Sequence, residues 1–173
     1  MHRSLFVLIL LFHFVGQAQN EQNCNCCSQN HRAFDFWVGE WEVVNFQDGS
    51  LAGSSVINKE EGGCVIRENW TSAKAYTGTS LNFFNAQTSE WEQLWIDNAG
   101  ASLKLKGNRV NNKMILTSDE FTKSDGKKYR NRIIWTKNDD GTVRQLWEVL
   151  GEGNSTSIVF DGLYRKVQKT KNR

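Results

Sequence analysis

The feature that most constrains the fold is an alternation of apolar and polar residues, interrupted by turn signals, from residue 36 onward. The interruptions include Asp48-Gly49, Asp125-Gly126 and Asp140-Gly141, and such pairs supply the positive φ that tight hairpin turns need. Turn signals about 8–12 residues apart are typical of an all-β barrel or sandwich. The chain contains no proline, which suits uninterrupted strand pairing because proline donates no backbone hydrogen bond.

The alternating runs predict ten strands of similar length with short connections between them. Their predicted bounds are 36–47, 52–60, 63–73, 76–85, 89–97, 101–109, 112–121, 128–137, 142–151 and 155–166. Short connections favour an up-and-down meander, and the large aromatic residues in these runs are suited to fill a barrel interior. The sequence therefore predicts an all-β fold, an antiparallel up-and-down barrel of about ten strands. Residues 24–34 are expected to form a short helix or an irregular lid before the first strand.

The N-terminus has the features of a secretory signal peptide. A basic start at Arg3 precedes an almost wholly apolar run over 5–15, and Gly16-Gln17-Ala18 ends the segment with small residues. The apolar run is shorter than the roughly 20 residues that span a bilayer, although an uncleaved anchor remains an alternative. We expect cleavage near Ala18, which predicts a secreted or periplasmic protein with no stable membrane span.

The predicted organisation is a signal peptide over 1–18, a Cys-containing segment over 19–35, a barrel over 36–168 and a basic tail over 169–173. A chain of this length suits one domain. The formal net charge is +2, and it becomes +1 without Arg3, with the two signs interspersed. Because no basic stripe is present, we do not expect a nucleic-acid partner. Whether the protein is a monomer or a homodimer stays open.

Four cysteines follow the predicted signal peptide: Cys24, Cys26, Cys27 and Cys64. Secretion permits disulfides, and we expect one to join Cys64 to one of the other three. The pairing stays open because four cysteines allow three connectivities. The alternative is a metal site formed by the three N-terminal cysteines and His31, but their spacing matches no standard zinc pattern.

Strand alternation sorts the side chains into inner and outer faces. Trp41 is predicted to point inward, since Glu40 and Glu42 mark the opposite face as solvent. The same sorting puts tryptophans beside amide and carboxylate groups, an arrangement that suits a small ligand with apolar faces and polar edges. The candidate ligand-binding residues are Glu68, Trp70, Asn82, Gln93, Trp95, Asp97, Arg132, Gln145 and Trp147. The alternatives are that these tryptophans are core residues and that Leu94 and Ile96 face the interior instead.

The predicted function is therefore a secreted or periplasmic barrel that binds an amphipathic small molecule, without a metal or other cofactor. After signal-peptide cleavage His31 is the remaining histidine, which leaves no partner for a nucleophilic Ser-His-Asp set. The less favoured alternative is an enzyme of the same fold, in which Glu68 or Asp97 acts as acid or base in hydrolysis or isomerisation and Arg132 supports the developing negative charge. A solid-cored structural or interaction module is the third possibility.

Gly39-Glu40-Trp41 resembles the Gly-x-Trp motif that opens the first strand of lipocalins and related calycin barrels. In that superfamily an arginine on the final strand covers the tryptophan, and Arg165 in the segment Phe160-Asp161-Gly162-Leu163-Tyr164-Arg165 matches this position. The resemblance thus implies a cation–π contact between Arg165 and Trp41, of about 0.5–2 kcal/mol.

A longer resemblance covers most of the predicted mature chain. The segments 34–41, 63–70, 91–97 and 143–148 together resemble a bacterial family of exported, lipocalin-like proteins without assigned function. The stretch from Gly151 to Ser157 departs from that pattern, where an Asp/Gly turn and a tryptophan are expected. Nitrobindin-type haem barrels are also similar, but they bind haem through a C-terminal histidine. No histidine follows His31 here, so haem binding does not carry over.

Overall fold

The structure, a computed structural model, describes residues 24–167 and consists almost wholly of antiparallel strands. It also contains three short 3-10 helices: Asp35–Trp37 precedes the first strand, and Glu61–Gly63 and Glu152–Asn154 lie in connections between strands. The strands are β1 (Gly39–Asn45), β2 (Leu51–Glu60), β3 (Val65–Ser72), β4 (Thr77–Asn85), β5 (Glu90–Asp97), β6 (Ser102–Val110), β7 (Lys113–Thr117), β8 (Phe121–Thr122), β9 (Lys128–Lys137), β10 (Val143–Leu150) and β11 (Thr156–Lys166).

Ten of these strands close into a barrel, as the sequence predicts. Each pairs with its neighbour along the chain, β7 pairs directly with β9, and β11 pairs with β1 to close the ring. The two-residue β8 lies outside the ring and pairs only with the start of β9. Closure leaves the barrel strands without unpaired edges, consistent with a lipocalin-like architecture.

The first strand begins later than predicted. The alternation in the sequence continues back through Phe36, but Asp35–Trp37 forms a turn of 3-10 helix and β1 starts at Gly39. Gly39 has a φ of +145°, a backbone conformation that residues other than glycine rarely adopt. The chain therefore changes direction at Gly39, and the aromatic residues before it pack under the barrel instead of along its wall.

The segment before β1 closes one end of the barrel with aromatic side chains. Phe34 and Trp37 are fully buried and stack with their ring centroids 4.9 Å apart, and Phe34 also meets the edge of Trp135 at 5.1 Å. The indole of Trp41 donates a hydrogen bond to the Trp37 carbonyl at 2.9 Å. The prediction of an irregular segment before the barrel is thus correct, and this segment forms what we call the closed end.

Two disulfides fasten this segment. Cys26 bonds to Cys64, which confirms the predicted link from Cys64 to the N-terminal cysteines, and Cys24 bonds to Cys27. Because all four thiols are paired, they do not form the alternative metal site with His31. A salt bridge of 2.8 Å between Lys59 Nζ and Asp35 Oδ1 gives the segment a further attachment to β2.

The predicted contact between Trp41 and Arg165 is wrong by one residue. Trp41 is buried and faces inward as predicted, but its partner in the β1–β11 register is Lys166, whose Nζ lies 5.2 Å from the indole centroid. Arg165 stands opposite Glu42 on the outer face. The cation–π contact is therefore present, and lysine supplies it.

The predicted signal peptide and the basic tail over 169–173 lie outside the described residues, as does the predicted cleavage position near Ala18. Between residues 24 and 167, no helix has the length and apolar character needed to cross a membrane.

Candidate functional site

A cavity of about 380 Å³ occupies the half of the barrel opposite the closed end. It reaches the β1–β2 and β3–β4 connections, where Leu51, Lys74 and Tyr76 line it. We call this the open end. The volume falls near the lower limit of the roughly 300–1,000 Å³ typical of small-molecule pockets.

The wall of the cavity is aromatic. Trp70, Trp95 and Trp147 come from β3, β5 and β10, and each lies on the face that alternation predicts to be inward. Phe160 of β11 stands opposite Trp147 in the register and meets the edge of Trp70 with a centroid distance of 6.0 Å. The Trp147 indole donates to Asn131 Oδ1 at 2.8 Å, so its ring is fixed in the wall. These rings offer flat apolar surface from three sides.

Glu68 lies at the bottom of the cavity, which we call the floor, and is 5% exposed. Two serine hydroxyls hold its carboxyl group: Ser55 donates to Oε1 at 2.9 Å and Ser80 donates to Oε2 at 3.0 Å. Ser80 stands directly opposite Glu68 in the β3–β4 register, and Ser55 comes from β2 on the other side. Small polar residues on both neighbouring strands therefore give this buried carboxyl its partners.

A chain of buried amides extends this network around the floor. Gln93 donates to Asn82 Oδ1 at 2.6 Å, and the Asn82 amide donates to Ser80 Oγ and to the Ile66 carbonyl, both at 3.0 Å. Asn82 is fully buried and supports the floor without lining the cavity. One N–H of Gln93 is used by Asn82, and its carbonyl oxygen, which accepts no hydrogen bond from the described residues, is available to a molecule in the cavity.

Gln145 and Tyr164 complete the floor from β10 and β11. The Tyr164 hydroxyl donates to Gln145 Oε1, which leaves the Gln145 amide nitrogen as a donor with no partner among residues 24–167. Both residues line the cavity, and the tyrosine is fully buried. The floor thus combines a carboxyl group, an amide acceptor and an amide donor.

Burial strongly affects the ionisation of the floor. Desolvation raises the pKa of Glu68 from 4.5 to about 7, although the hydrogen bonds that Ser55 and Ser80 donate to its carboxyl group oppose the shift. Burial, with the adjacent Glu68 charge, raises the pKa of Tyr164 well above its usual value, so the phenol stays neutral. The Glu68 carboxyl consequently changes charge close to neutral pH.

Asp97 does not lie in the cavity, contrary to the prediction. Its Oδ1 accepts hydrogen bonds from the amides of Ala99 and Ala101, both at 2.9 Å, and its Oδ2 accepts the Tyr76 hydroxyl at 2.8 Å. The Tyr76 hydrogen bond is the largest cause of a lowered pKa at Asp97. The carboxylate is therefore occupied by Tyr76 and by the turn after β5, and Asp97 does not line the cavity.

Arg132 is also placed differently from the prediction. Its guanidinium forms two hydrogen bonds to Glu148 Oε2, at 3.0 and 2.7 Å, and it does not line the cavity. Ile133 and Trp135 occupy the inner face of β9, so the strand's alternation puts Arg132 on the outer face. Of the three groups in the enzyme alternative, only Glu68 reaches the cavity, so they do not form one site.

Six of the nine predicted residues line the cavity, and these are Glu68, Trp70, Gln93, Trp95, Gln145 and Trp147. The prediction missed Ser55, Tyr164 and Phe160. Alternation in β2 places Ser55 on the row of Gly53 and Ile57 and so could have identified it. Within residues 24–167, no cluster of three or more His, Cys, Asp or Glu side chains is arranged to hold a metal ion.

Comparison of the sequence with protein-family models gives no match, and comparison with curated proteins also gives none.

Proposed function

We propose that this protein binds an amphipathic small molecule inside the barrel and does not transform it. The observation that carries the proposal is the cavity of about 380 Å³, with indole walls and a hydrogen-bonding floor. A solid-cored structural module would fill this space with side chains. The open end, at Lys74 and Tyr76, provides an entry path.

The chemistry of the lining supports an amphipathic ligand over a purely apolar one. Trp70, Trp95, Trp147 and Phe160 offer apolar contact, whereas Glu68, Gln93 and Gln145 offer polar contact at one end. Pockets for small ligands combine apolar walls with a few placed polar groups in this manner. The ligand is therefore expected to bury its polar edge against the floor and its apolar faces between the rings.

The proposal includes a location outside the cytoplasm, secreted or periplasmic. Two disulfides support it, because such bonds persist in oxidising compartments and are rare in the cytosol. The basic, apolar and small-residue succession before Ala18 supports it independently.

The test is binding of a neutral, environment-sensitive dye to the purified mature protein. Prodan, a naphthalene ketone, is expected to bind at one saturable site with a blue shift of its emission. Ala52→Phe adds a ring to the cavity lining and should weaken binding by roughly tenfold, equivalent to about 1.4 kcal/mol.

Ser54→Phe is the matched control, since Ser54 is exposed on the outside of the same strand. It should leave the dissociation constant within a factor of about two, because it adds the same ring without entering the cavity. Absence of saturable dye binding, or equal weakening by the two substitutions, would contradict the proposed function.

A further inference from the structure

We propose, building on the proposed function, that the ligand is an organic cation: a compact, flat apolar body with a protonated nitrogen that lies against the Glu68 carboxylate. The inference rests on a buried acidic group that lacks a counter-charge in a cavity walled by aromatic rings. It specifies the polar edge of the ligand, which the proposed function leaves undefined.

Glu68 forms no ion pair with any residue between 24 and 167, although it is 5% exposed. Lys74 is the other charged residue that lines the cavity, and it belongs to the β3–β4 hairpin at the open end. Ser72, the last residue of β3, lies four positions beyond Glu68, a rise of about 13 Å along the strand. Lys74 forms no ion pair with Glu68, so the floor has no counter-charge among the described residues.

The hydrogen bonds around Glu68 are directed so that the carboxyl group acts as an acceptor. The Asn82 amide donates to Ser80 Oγ, which leaves the single Ser80 proton for Glu68 Oε2. Ser55 donates to the other oxygen. This arrangement stabilises the ionised carboxylate, and each oxygen has a further lone pair for a donor in the cavity.

A protonated nitrogen on the ligand supplies the positive charge that this site lacks. Leaving a buried carboxylate uncompensated is costly, whereas a hydrogen-bonded partner of opposite charge offsets the loss of hydration. The Gln93 oxygen is a further acceptor in the cavity lining, available to another N–H of the ligand. The faces of Trp70, Trp95 and Trp147 also attract a cation in a desolvated site.

Ionisation makes the proposed binding depend on pH. The titratable groups that line the cavity with Glu68 are Tyr164 from β11 and, at the open end, Lys74 and Tyr76. Burial raises the pKa of Tyr76, so this phenol does not add a charge in the pH range considered. Tyr164 remains neutral, so the charge of the floor follows Glu68, whose pKa is raised to about 7 by burial. Affinity for a cation should therefore rise as the pH increases to about 8 and then level off.

The test uses three indoles with one body and different end groups, measured by titration calorimetry on the mature protein at pH 8. Tryptamine carries an ammonium, tryptophol a neutral hydroxyl and indole-3-propionate a carboxylate. We expect tryptamine to bind at least about tenfold more tightly than tryptophol, and indole-3-propionate to bind weakest. Glu68→Gln should reduce tryptamine affinity by about tenfold and change tryptophol affinity less than about twofold.

Glu42→Gln is the matched control, because Glu42 is exposed on the outer face of β1. It removes the same charge from the protein without touching the cavity, and it should change neither affinity. The ranking of the three indoles on the unaltered protein tests the proposal even where Glu68→Gln fails to fold.

The outcomes separate this inference from the function beneath it. Preference for tryptophol or indole-3-propionate over tryptamine overturns the cation proposal and leaves a ligand-binding barrel intact. Absence of binding by all three indoles, with saturable prodan binding, also overturns it. Absence of both indole and prodan binding overturns the proposed function itself.

Discussion

Replacing Glu68 with glutamine should change how the stability of the ligand-free protein depends on pH. The substitution keeps the size of the side chain and removes its titration. Glu68 lies on the cavity floor, where Ser55 and Ser80 hold it and burial raises its pKa from 4.5 to about 7. In the unfolded chain the same carboxyl group returns to its ordinary pKa.

The sign of the effect follows from proton binding. Between pH 4.5 and about 7 the folded protein retains the Glu68 proton that the unfolded chain releases. The free energy of unfolding therefore falls as the pH rises through this window. The contribution of protonated Glu68 is fully present below the unfolded pKa and is lost once the pH passes the folded pKa.

The magnitude follows from the size of the shift. Each pKa unit corresponds to about 1.4 kcal/mol, so a change from 4.5 to about 7 gives a total of about 3 kcal/mol. The carboxyl is almost wholly removed from solvent, so screening by water reduces this value little.

Urea denaturation at several pH values between 4.5 and 8 measures the effect in the two proteins. Groups common to both contribute equally and cancel in the difference between the curves. The free energy of unfolding of the unaltered protein should fall by about 3 kcal/mol relative to Glu68→Gln across this range. Glu42→Gln should follow the unaltered protein, and parallel curves for all three would refute the placement of Glu68 in a desolvated site.

Three further predictions concern the closed end, the wall and the outer face. Replacing Cys26 and Cys64 with serine should lower the free energy of unfolding, measured by urea denaturation, by about 4 kcal/mol, whereas replacing Cys24 and Cys27 should lower it by about 2 kcal/mol. The difference arises because the two disulfides have sequence separations of 38 and 3. Equal losses would contradict the role given to the Cys26–Cys64 bond at the closed end. Gly78→Ala should lower the free energy of unfolding by about 1–3 kcal/mol and weaken prodan binding, because a Cβ at this position overlaps the Trp95 indole. Thr77→Ala is the control, since Thr77 is exposed, and it should leave prodan binding unchanged. Arg132→Met should lower the free energy of unfolding by about 1 kcal/mol and leave the tryptamine affinity measured by calorimetry unchanged, because the guanidinium pairs with Glu148 outside the cavity. A tenfold loss of tryptamine affinity would instead place Arg132 in the binding site.

The sequence predicts the barrel well because its two strongest signals are local. Alternation and turn pairs such as Asp48-Gly49 are set by neighbouring residues, and they specify strands and hairpins directly. The inward placement of Trp41, Glu68, Gln93 and Trp147 follows from the same alternation. The start of β1 does not follow from alternation, since the 3-10 turn over Asp35–Trp37 depends on packing against the end of the barrel.

The errors at the site arise where the deciding contacts join distant parts of the chain. The choice between Arg165 and Lys166 depends on the β1–β11 register, and a shift of one residue exchanges the two faces. Arg132 shares its face of β9 with Ile134, whereas Ile133 and Trp135 share the other face. Because both faces carry apolar residues, the sequence alone does not show which one is the outer face. Asp97 has the inward parity, but the amides of its own turn take its carboxylate instead.

The most direct measurement of the central claim is a crystal structure of the protein purified from its own host. We expect electron density for a small organic molecule between Trp95 and Trp147, with a nitrogen within hydrogen-bond distance of the Glu68 carboxylate. A barrel whose aromatic side chains collapse to fill the cavity would contradict it. So would a bound molecule that presents an anionic group to Glu68.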